Sequence, residues 1–264
     1  MAKIFAVTNQ KGGVGKTTTS VNLAASLAAT KRRILMIDLD PQGNATMGCG
    51  ISKNELEFTA YELLTKKARF SDVVVQAAHG NFDVIPANGD LVAAEVELLT
   101  EIGREHRLRL ALNDIRSNYD FVVIDCPPSL NMLTVNALSI ADGVIIPMQC
   151  EYYALEGLAA LMTTVDQIRE TINPDLIISG ILRTMYDPRN SLTKDVSEEL
   201  EEYFGDQVFK VAIPRNVRLA EAPSHGMPAL YYDKSSRGAL AYLALAGEIV
   251  RRNKHNKQTA LEAV

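Results

Sequence analysis

The stretch Asn9–Thr19, NQKGGVGKTTT, places three glycines, two lysines and three threonine hydroxyls within eleven residues. Gly12, Gly13 and Gly15 give the backbone freedom to turn successive N–H groups toward a single anion. Lys16 is placed to reach the β- and γ-phosphates of a nucleotide, and the Thr17 hydroxyl to ligate Mg²⁺. Val14 and Thr18 complete the segment that would wrap the phosphates. The usual phosphate loop reads Gly, four residues, then Gly-Lys-Ser/Thr. Its first glycine would fall at position 10, which is Gln10, so the strict pattern fails while its physical requirements survive. Two acidic stretches follow. MIDLDPQGNAT carries Asp38 and Asp40, and FVVIDCPPSL carries Asp125. Near a phosphate loop such aspartates hold Mg²⁺, directly or through water, or orient the attacking water. Asp38 and Asp40 could by themselves be loop caps, since Asp is common where strands give way to turns, but with a phosphate loop upstream a role near the γ-phosphate is the stronger reading. Lys11 is left over, because the site already has its lysine.

Such chemistry needs a strand to deliver the loop and a helix to receive it. KIFAVTN (Lys3 to Asn9) is a short apolar run suited to a buried strand. TTTSVNLAASLAAT (Thr17 to Thr30) spaces Val21, Leu23, Ala24 and Leu27 as a helix does, with the helix's positive end at the phosphates. Further apolar runs predict strands at 33–39, 82–87, 121–126, 143–148, 176–184 and 207–214. Amphipathic spacing predicts helices at 104–118, 155–173, 193–204 and 238–253. Continuous apolar strands separated by helices imply an α/β fold, a mostly parallel central sheet with helices on both faces. Ligands in such sheets lie at the carboxyl ends of the strands. The phosphate loop, Asp38, Asp40, Asp125 and Pro214 should therefore converge on one crevice.

Composition agrees with that class. The chain of 264 residues, 47% hydrophobic, suits one large domain over residues 1–254, followed by a polar tail at 255–264. A net charge of −5 argues against wholesale coating of nucleic acid and leaves room for a local basic patch. Cys49, Cys126 and Cys150 are odd in number and far apart, as expected of small apolar fillers in a reducing cytoplasm. The early loop leaves no room for a signal peptide, and no apolar run reaches membrane-span length.

The run Lys11–Thr17, KGGVGKT, resembles the deviant Walker A motif of the ParA/MinD/NifH superfamily. DLDPQGN resembles switch I of its ParA/Soj group, and FVVIDCPPSL is similar to the Walker B and switch II elements. VAIPRNVRLAEAPSHGMP (Val211 to Pro228) resembles the late segment whose PRN borders adenine. The likeness runs from residue 3 to about residue 250. It implies an ATPase using ATP/ADP and Mg²⁺, in which Lys11 acts across a dimer on the nucleotide of the facing subunit. By the same likeness Asp40 orients the attacking water, Asp38 supports the metal near Thr17 and Asp125, and Pro214 and Asn216 contact the base. From its own residue type Asn216 reads as a helix cap.

The group closest in motif is that of the ParA/Soj partition ATPases; the alternative is a MinD-like membrane-positioning ATPase. MinD proteins end in a basic amphipathic helix, whereas RRNKHNKQTALEAV offers only Leu261 and Val264 as bulky aliphatics, poor for burial among lipid headgroups. A nitrogenase-reductase reading needs paired cluster cysteines, which three isolated ones do not supply. Only ten residues precede Lys11, so no N-terminal helix-turn-helix is expected. The resemblance further implies a homodimer on ATP binding, non-specific DNA binding, a ParB-type partner that accelerates slow hydrolysis, and a nucleoid-associated cytoplasmic location without stable membrane association. Its DNA-binding arginines correspond to Arg189 and Arg218. Residues 183–237 hold eight Lys/Arg against nine Asp/Glu, so bulk charge does not predict that surface, and solvated or acid-paired arginines are the alternative.

Overall fold

The computed structural model describes residues 2–262, with side chains described as far as Lys254. Its centre is a seven-stranded sheet: β1 Lys3–Val7, β2 Ile34–Asp38, β3 Val75–Gln76, β4 Asp83–Ile85, β5 Phe121–Asp125, β6 Gly143–Gln149 and β7 Ile177–Thr184. The spatial order is β3-β4-β2-β5-β1-β6-β7. All neighbours run parallel except β3, which pairs antiparallel with β4 at the edge. The mostly parallel sheet expected from the apolar runs is present.

Twelve α-helices connect these strands among the described residues. After β1 comes α1, Lys16–Ala29; after β2 come α2, Asn44–Gly48, α3, Ala60–Leu64, and α4, Phe70–Val73. Beyond β4 lie α5, Leu91–Leu98, and α6, Arg107–Leu112. Between later strands run α7, Met132–Ile140, and α8, Ala154–Thr171. β7 is followed by α9, Ser191–Phe204, then the short α10, Val217–Glu221, and α11, Ala229–Tyr232. Last comes α12, Arg237–Glu262. The segment 255–264, expected as a polar tail, thus begins within a helix described to Glu262.

Alternation along each strand splits the apolar side chains between two cores. Ile4 and Ala6 of β1 join Leu35, Ile37, Val122 and Ile124 beneath α3, α5, α7 and α8. Phe5 and Val7 point the other way, with Met36, Val123 and Ile145, toward α1 and α12. Both faces being covered explains why the strands read as continuous apolar runs rather than alternating ones.

Two expectations need correction. The run 207–214 is not a strand: it makes isolated bridges at Ile181–Val208 and Tyr186–Pro214 only. Side chains take the backbone groups a ladder would use. The Glu248 carboxylate accepts from the N–H groups of Lys210 and Val211, and Arg183 donates to the carbonyl of Phe209. The expected helix 104–118 is broken into a 3-10 turn at Arg104–His106, α6, and a second 3-10 turn at Arg116–Asn118. The Asn136 amide of α7 inserts there, accepting from the Leu108 N–H and donating to the Arg104 carbonyl, the two groups that would otherwise bond each other in a continuous helix.

Candidate nucleotide site

The loop after β1 is shaped by its own side chains and by strands on either side. Asn9 donates through Nδ2 to the Pro147 carbonyl at 2.8 Å, and its Oδ1 accepts from the Lys11 N–H at 3.0 Å. Gly13 and Gly15 take φ values of 74° and 87°, the left-handed region that side-chain-bearing residues avoid. The Thr184 hydroxyl at the end of β7 donates to the Val14 carbonyl at 2.8 Å. Inside the molecule Thr19 shares a hydrogen bond of 3.1 Å with the Tyr242 hydroxyl of α12. The loop is therefore anchored to β6, β7 and α12, and α1 opens at Lys16 with its N–H groups toward the crevice.

The two lysines have opposite surroundings. Lys16 is 7% exposed, and its Nζ donates to the Lys11 carbonyl at 2.9 Å. Burial pushes its ammonium below the ordinary value, against the pull of the Asp125 and Asp40 carboxylates. Lys11 faces outward, with its Nζ 2.7 Å from Glu151 Oε2 in an exposed ion pair.

Strand order explains why the carboxylates meet the loop. β5 lies between β2 and β1, and the register sets Asp125 beside both Val7 and Asp38. Asp125 is fully buried; its Oδ1 accepts from the Ser20 hydroxyl of α1 at 2.8 Å, and its Oδ2 has no partner. The nearby Thr17 hydroxyl favours the charged form of this carboxylate. A buried, orphaned carboxylate oxygen beside a hydroxyl and a lysine fits a hard divalent cation. Mg²⁺ in nucleotide sites takes one or two protein oxygens and completes its shell with water and phosphate. No cluster of three or more His, Cys, Asp or Glu side chains suited to a metal occurs among the described residues, in keeping with so sparse a donor set.

Asp38 is built differently. Its Oδ1 accepts from the Asp40 N–H at 3.1 Å, and its Oδ2 accepts from the N–H and hydroxyl of Thr46, both at 2.8 Å. With both oxygens engaged, Asp38 braces the loop that carries Asp40. Burial pushes both the Asp125 and Asp38 carboxyls above the ordinary aspartate range. Asp40 is half-buried, accepts from the Gln42 N–H at 3.0 Å, and lies near enough to Lys16 to support its charge.

Beside Gly15 and Thr18 opens a cavity of about 180 Å³, lined also by Pro214, Arg215, Asn216, Met185 and Tyr242. Asn216 Oδ1 caps α10 by accepting from the Arg218 N–H at 3.1 Å, and the residue also lines this cavity. Roomier clefts of about 430 and 520 Å³ lie elsewhere and touch none of the phosphate-loop residues.

Arg189 and Arg218 stand outside the crevice. Arg189 is held by Asp187 through two bonds of 2.9 and 2.7 Å, and Arg218 by Glu221 at 2.8 Å and Asp233 at 3.4 Å. Ser20, Glu151, Thr184 and Tyr242 escaped the sequence reading. Ser20 stands one helical turn after Lys16, a spacing that could have marked it. The other three come from distant segments and left no local signal.

A family model described as an AAA domain matches residues 2–178. The sporulation initiation inhibitor protein Soj of Bacillus subtilis is 55% identical over 249 residues, covering 94% of this chain and 98% of that protein. The chromosome partitioning protein ParA of Caulobacter vibrioides is 49% identical over 260 residues, covering 98% and 97%. Among solved structures, the cobyrinic acid a,c-diamide synthase of Mycobacterium smegmatis with bound ATP analog and magnesium superposes with a TM-score of 0.84. It is 37% identical, with 96% of each chain covered.

Proposed function

The chain belongs to the ParA/Soj family of partitioning ATPases, and from that premise we propose that it is an ATP-driven switch that carries DNA during segregation. The observation that carries the reading is the contrast between Lys16, buried among the carboxylates, and Lys11, exposed and held only by Glu151. One lysine is committed to its own subunit's site and the other is free to reach a second one. Identity to the partitioning proteins exceeds that to the synthase, whose name describes a different reaction.

In this reading the N–H groups of Gly13 to Thr18 and the Lys16 ammonium bind the phosphates, and the base enters the cavity walled by Pro214 and Asn216. Thr17 and Asp125 would hold Mg²⁺, which supplies neutralising charge at the β- and γ-oxygens, with Asp38 fixing the neighbouring loop. Asp40 orients a water whose oxygen attacks the γ-phosphorus as the bond to the ADP oxygen breaks. Two subunits close face to face, and Lys11 leaves Glu151 to reach the partner's phosphates. The closed dimer binds DNA without sequence preference through Arg189 and Arg218, and hydrolysis, accelerated by a ParB-type protein, opens it. Intrinsic turnover is slow, since arginine-finger stabilisation worth about 10³–10⁵ in rate is not supplied by the chain itself.

The test is ATP-dependent retention of DNA by the purified full chain, with hydrolysis measured with and without a ParB-type protein. The expected result is DNA retention with ATP alone, and faster hydrolysis when the partner is added. ATP-dependent sedimentation with anionic vesicles, and no DNA retention, would replace this reading with the MinD-like one.

A further inference from the structure

The helix α5 leaves an apolar stripe uncovered. Val92, Val96 and Leu99 recur at spacings of four and three residues, and are 55%, 66% and 58% exposed. Such a spacing aligns them along one side of a helix. Ile102, in the turn that follows, is 99% exposed and extends the stripe. The opposite side, Leu91, Ala94 and Leu98, is buried in the core, so α5 already has the contacts it needs to fold. Single exposed aliphatics are ordinary, but four in succession along α5 and the turn after it mark a contact surface.

Charge decides what fits the stripe. Residues 88–105 carry five acids, Asp90, Glu95, Glu97, Glu101 and Glu105, and one cation, Arg104. Lys67 pairs with Glu97 and Arg107 with Glu101, which leaves the remaining three acids without a Lys or Arg partner among the described residues. An acid-flanked stripe repels DNA phosphates and anionic lipid headgroups. A two-fold contact centred on this stripe would bring the same acids of two copies together. The occupant that satisfies both the aliphatic stripe and its rim is a helix with leucine-like side chains on one face and Lys or Arg beside them.

The stripe is also wired to the nucleotide site. Glu95, on α5, accepts from Asn131 Nδ2 at 2.6 Å, and Asn131 Oδ1 caps α7 by accepting from the Thr134 N–H. Asn131 closes the loop that begins at Asp125, the buried carboxylate beside Thr17. A partner seated on α5 therefore presses on the segment that holds Asp125.

We infer that the Val92–Val96–Leu99–Ile102 stripe is the docking face for a cationic amphipathic segment of a partner protein, which reaches the hydrolytic site through Glu95 and Asn131. The assignment rests on the partner-stimulated ATPase reading, and names the surface on which the stimulation is delivered.

Two measurements separate the surface from that reading. The first is fluorescence anisotropy of a labelled twenty-residue peptide with leucines at helical spacing and lysines beside them, titrated with the full chain. The second is ATP hydrolysis with and without a purified ParB-type protein. The variants are Val96→Ser with Ile102→Ser, and Val96→Glu. Expected is at least a tenfold loss of peptide affinity and of the stimulated increment, with basal hydrolysis and ATP-dependent dimerisation within twofold of the parent. Glu95→Gln should bind peptide normally yet lose stimulation. Equal peptide binding by parent and variants, or none by the parent, overturns the surface. Loss of dimerisation without any partner present assigns the stripe to a second copy instead, and overturns it too. Peptide binding lost in the variants, with no stimulation of the parent, keeps the surface and removes the ParB-type reading.

Discussion

The crevice around Lys16 and the surface bearing Arg189 and Arg218 handle charge in contrasting ways. In the crevice, the charged groups are largely buried: Asp125 is held by Ser20, 105 residues away, Asp38 by the nearer Thr46, and the loop itself by Thr184 and, through Asn9, by Pro147. On the arginine surface, each cation is exposed and held by an acid of its own neighbourhood, Asp187 or Glu221, with Asp233 adding to the second. Buried, pre-oriented charge acts strongly on a ligand and is costly to disturb. Exposed pairs exchange partners at little cost, so a surface of them can take up and release a polyanion. In the proposed function the first region would serve tight binding and chemistry, the second a reversible grip.

The largest effect that would sharpen this contrast is expected from Lys16→Ala. Removing one member of a buried charge pairing costs about 2–5 kcal/mol, roughly 30-fold to several thousandfold in affinity. Calorimetric titration with ATP should show that loss. For Lys11→Ala the same titration should be nearly unchanged, while sedimentation shows the ATP-dependent dimer gone. Equal losses of ATP affinity in both variants would erase the distinction between the lysines.

Asp40→Ala comes next. Water positioning of this kind is worth about 10²–10⁴ in rate. The variant should still bind ATP and accumulate as a dimer while single-turnover hydrolysis falls by that factor. Normal partner-stimulated hydrolysis would remove Asp40 from the chemistry.

On the other surface, Arg189→Glu with Arg218→Glu should weaken ATP-dependent DNA retention by more than about tenfold, and flatten its dependence on salt, because fewer counterions are released per complex. The melting temperature and ATP affinity should hardly move, since exposed pairs contribute little to stability. A large drop in melting temperature would show that the arginines are structural after all.

The smallest effect is a pH slope. Burial raises the Asp38 and Asp125 carboxyls above their unfolded values, so the folded chain holds these protons more tightly than the unfolded one. Their contribution to stability is complete in acid and is lost as the pH rises through the raised values. Without ligand, thermal melts should show that loss between mildly acidic and mildly alkaline buffer. With Mg²⁺ and ADP present the slope should shrink. A ligand-free chain whose stability rises over the same interval would contradict the burial of unpaired charge.

The same contrast governs what the sequence could disclose. Gly15, Lys16 and Thr17 are adjacent in the chain, so their spacing alone announces the loop, and Asp125 is marked by the apolar run before it. Both signals are local. The segment 207–214 misled because apolar content specifies burial without specifying what takes the backbone bonds, and Glu248 lies beyond any local window. Glu151 and Thr184 were silent for the same reason: their partners are 140 and 170 residues away. The pairing of Arg189 with Asp187 is local, yet counting charges over a long stretch averaged it out.

The bond between Thr19 and Tyr242 sets an order of events during synthesis. The phosphate loop is made among the first residues, but α1 behind it stays half-clothed until Tyr242, Leu245 and Ala246 of α12 arrive to cover it. The cavity proposed for the base waits as well, since Pro214 and Asn216 are also translated late. Domains emerge from the ribosome N-terminal end first. A nascent chain therefore displays a glycine-rich loop long before α12 is there to back it, and the site is complete only once residues as late as Tyr242 have been added.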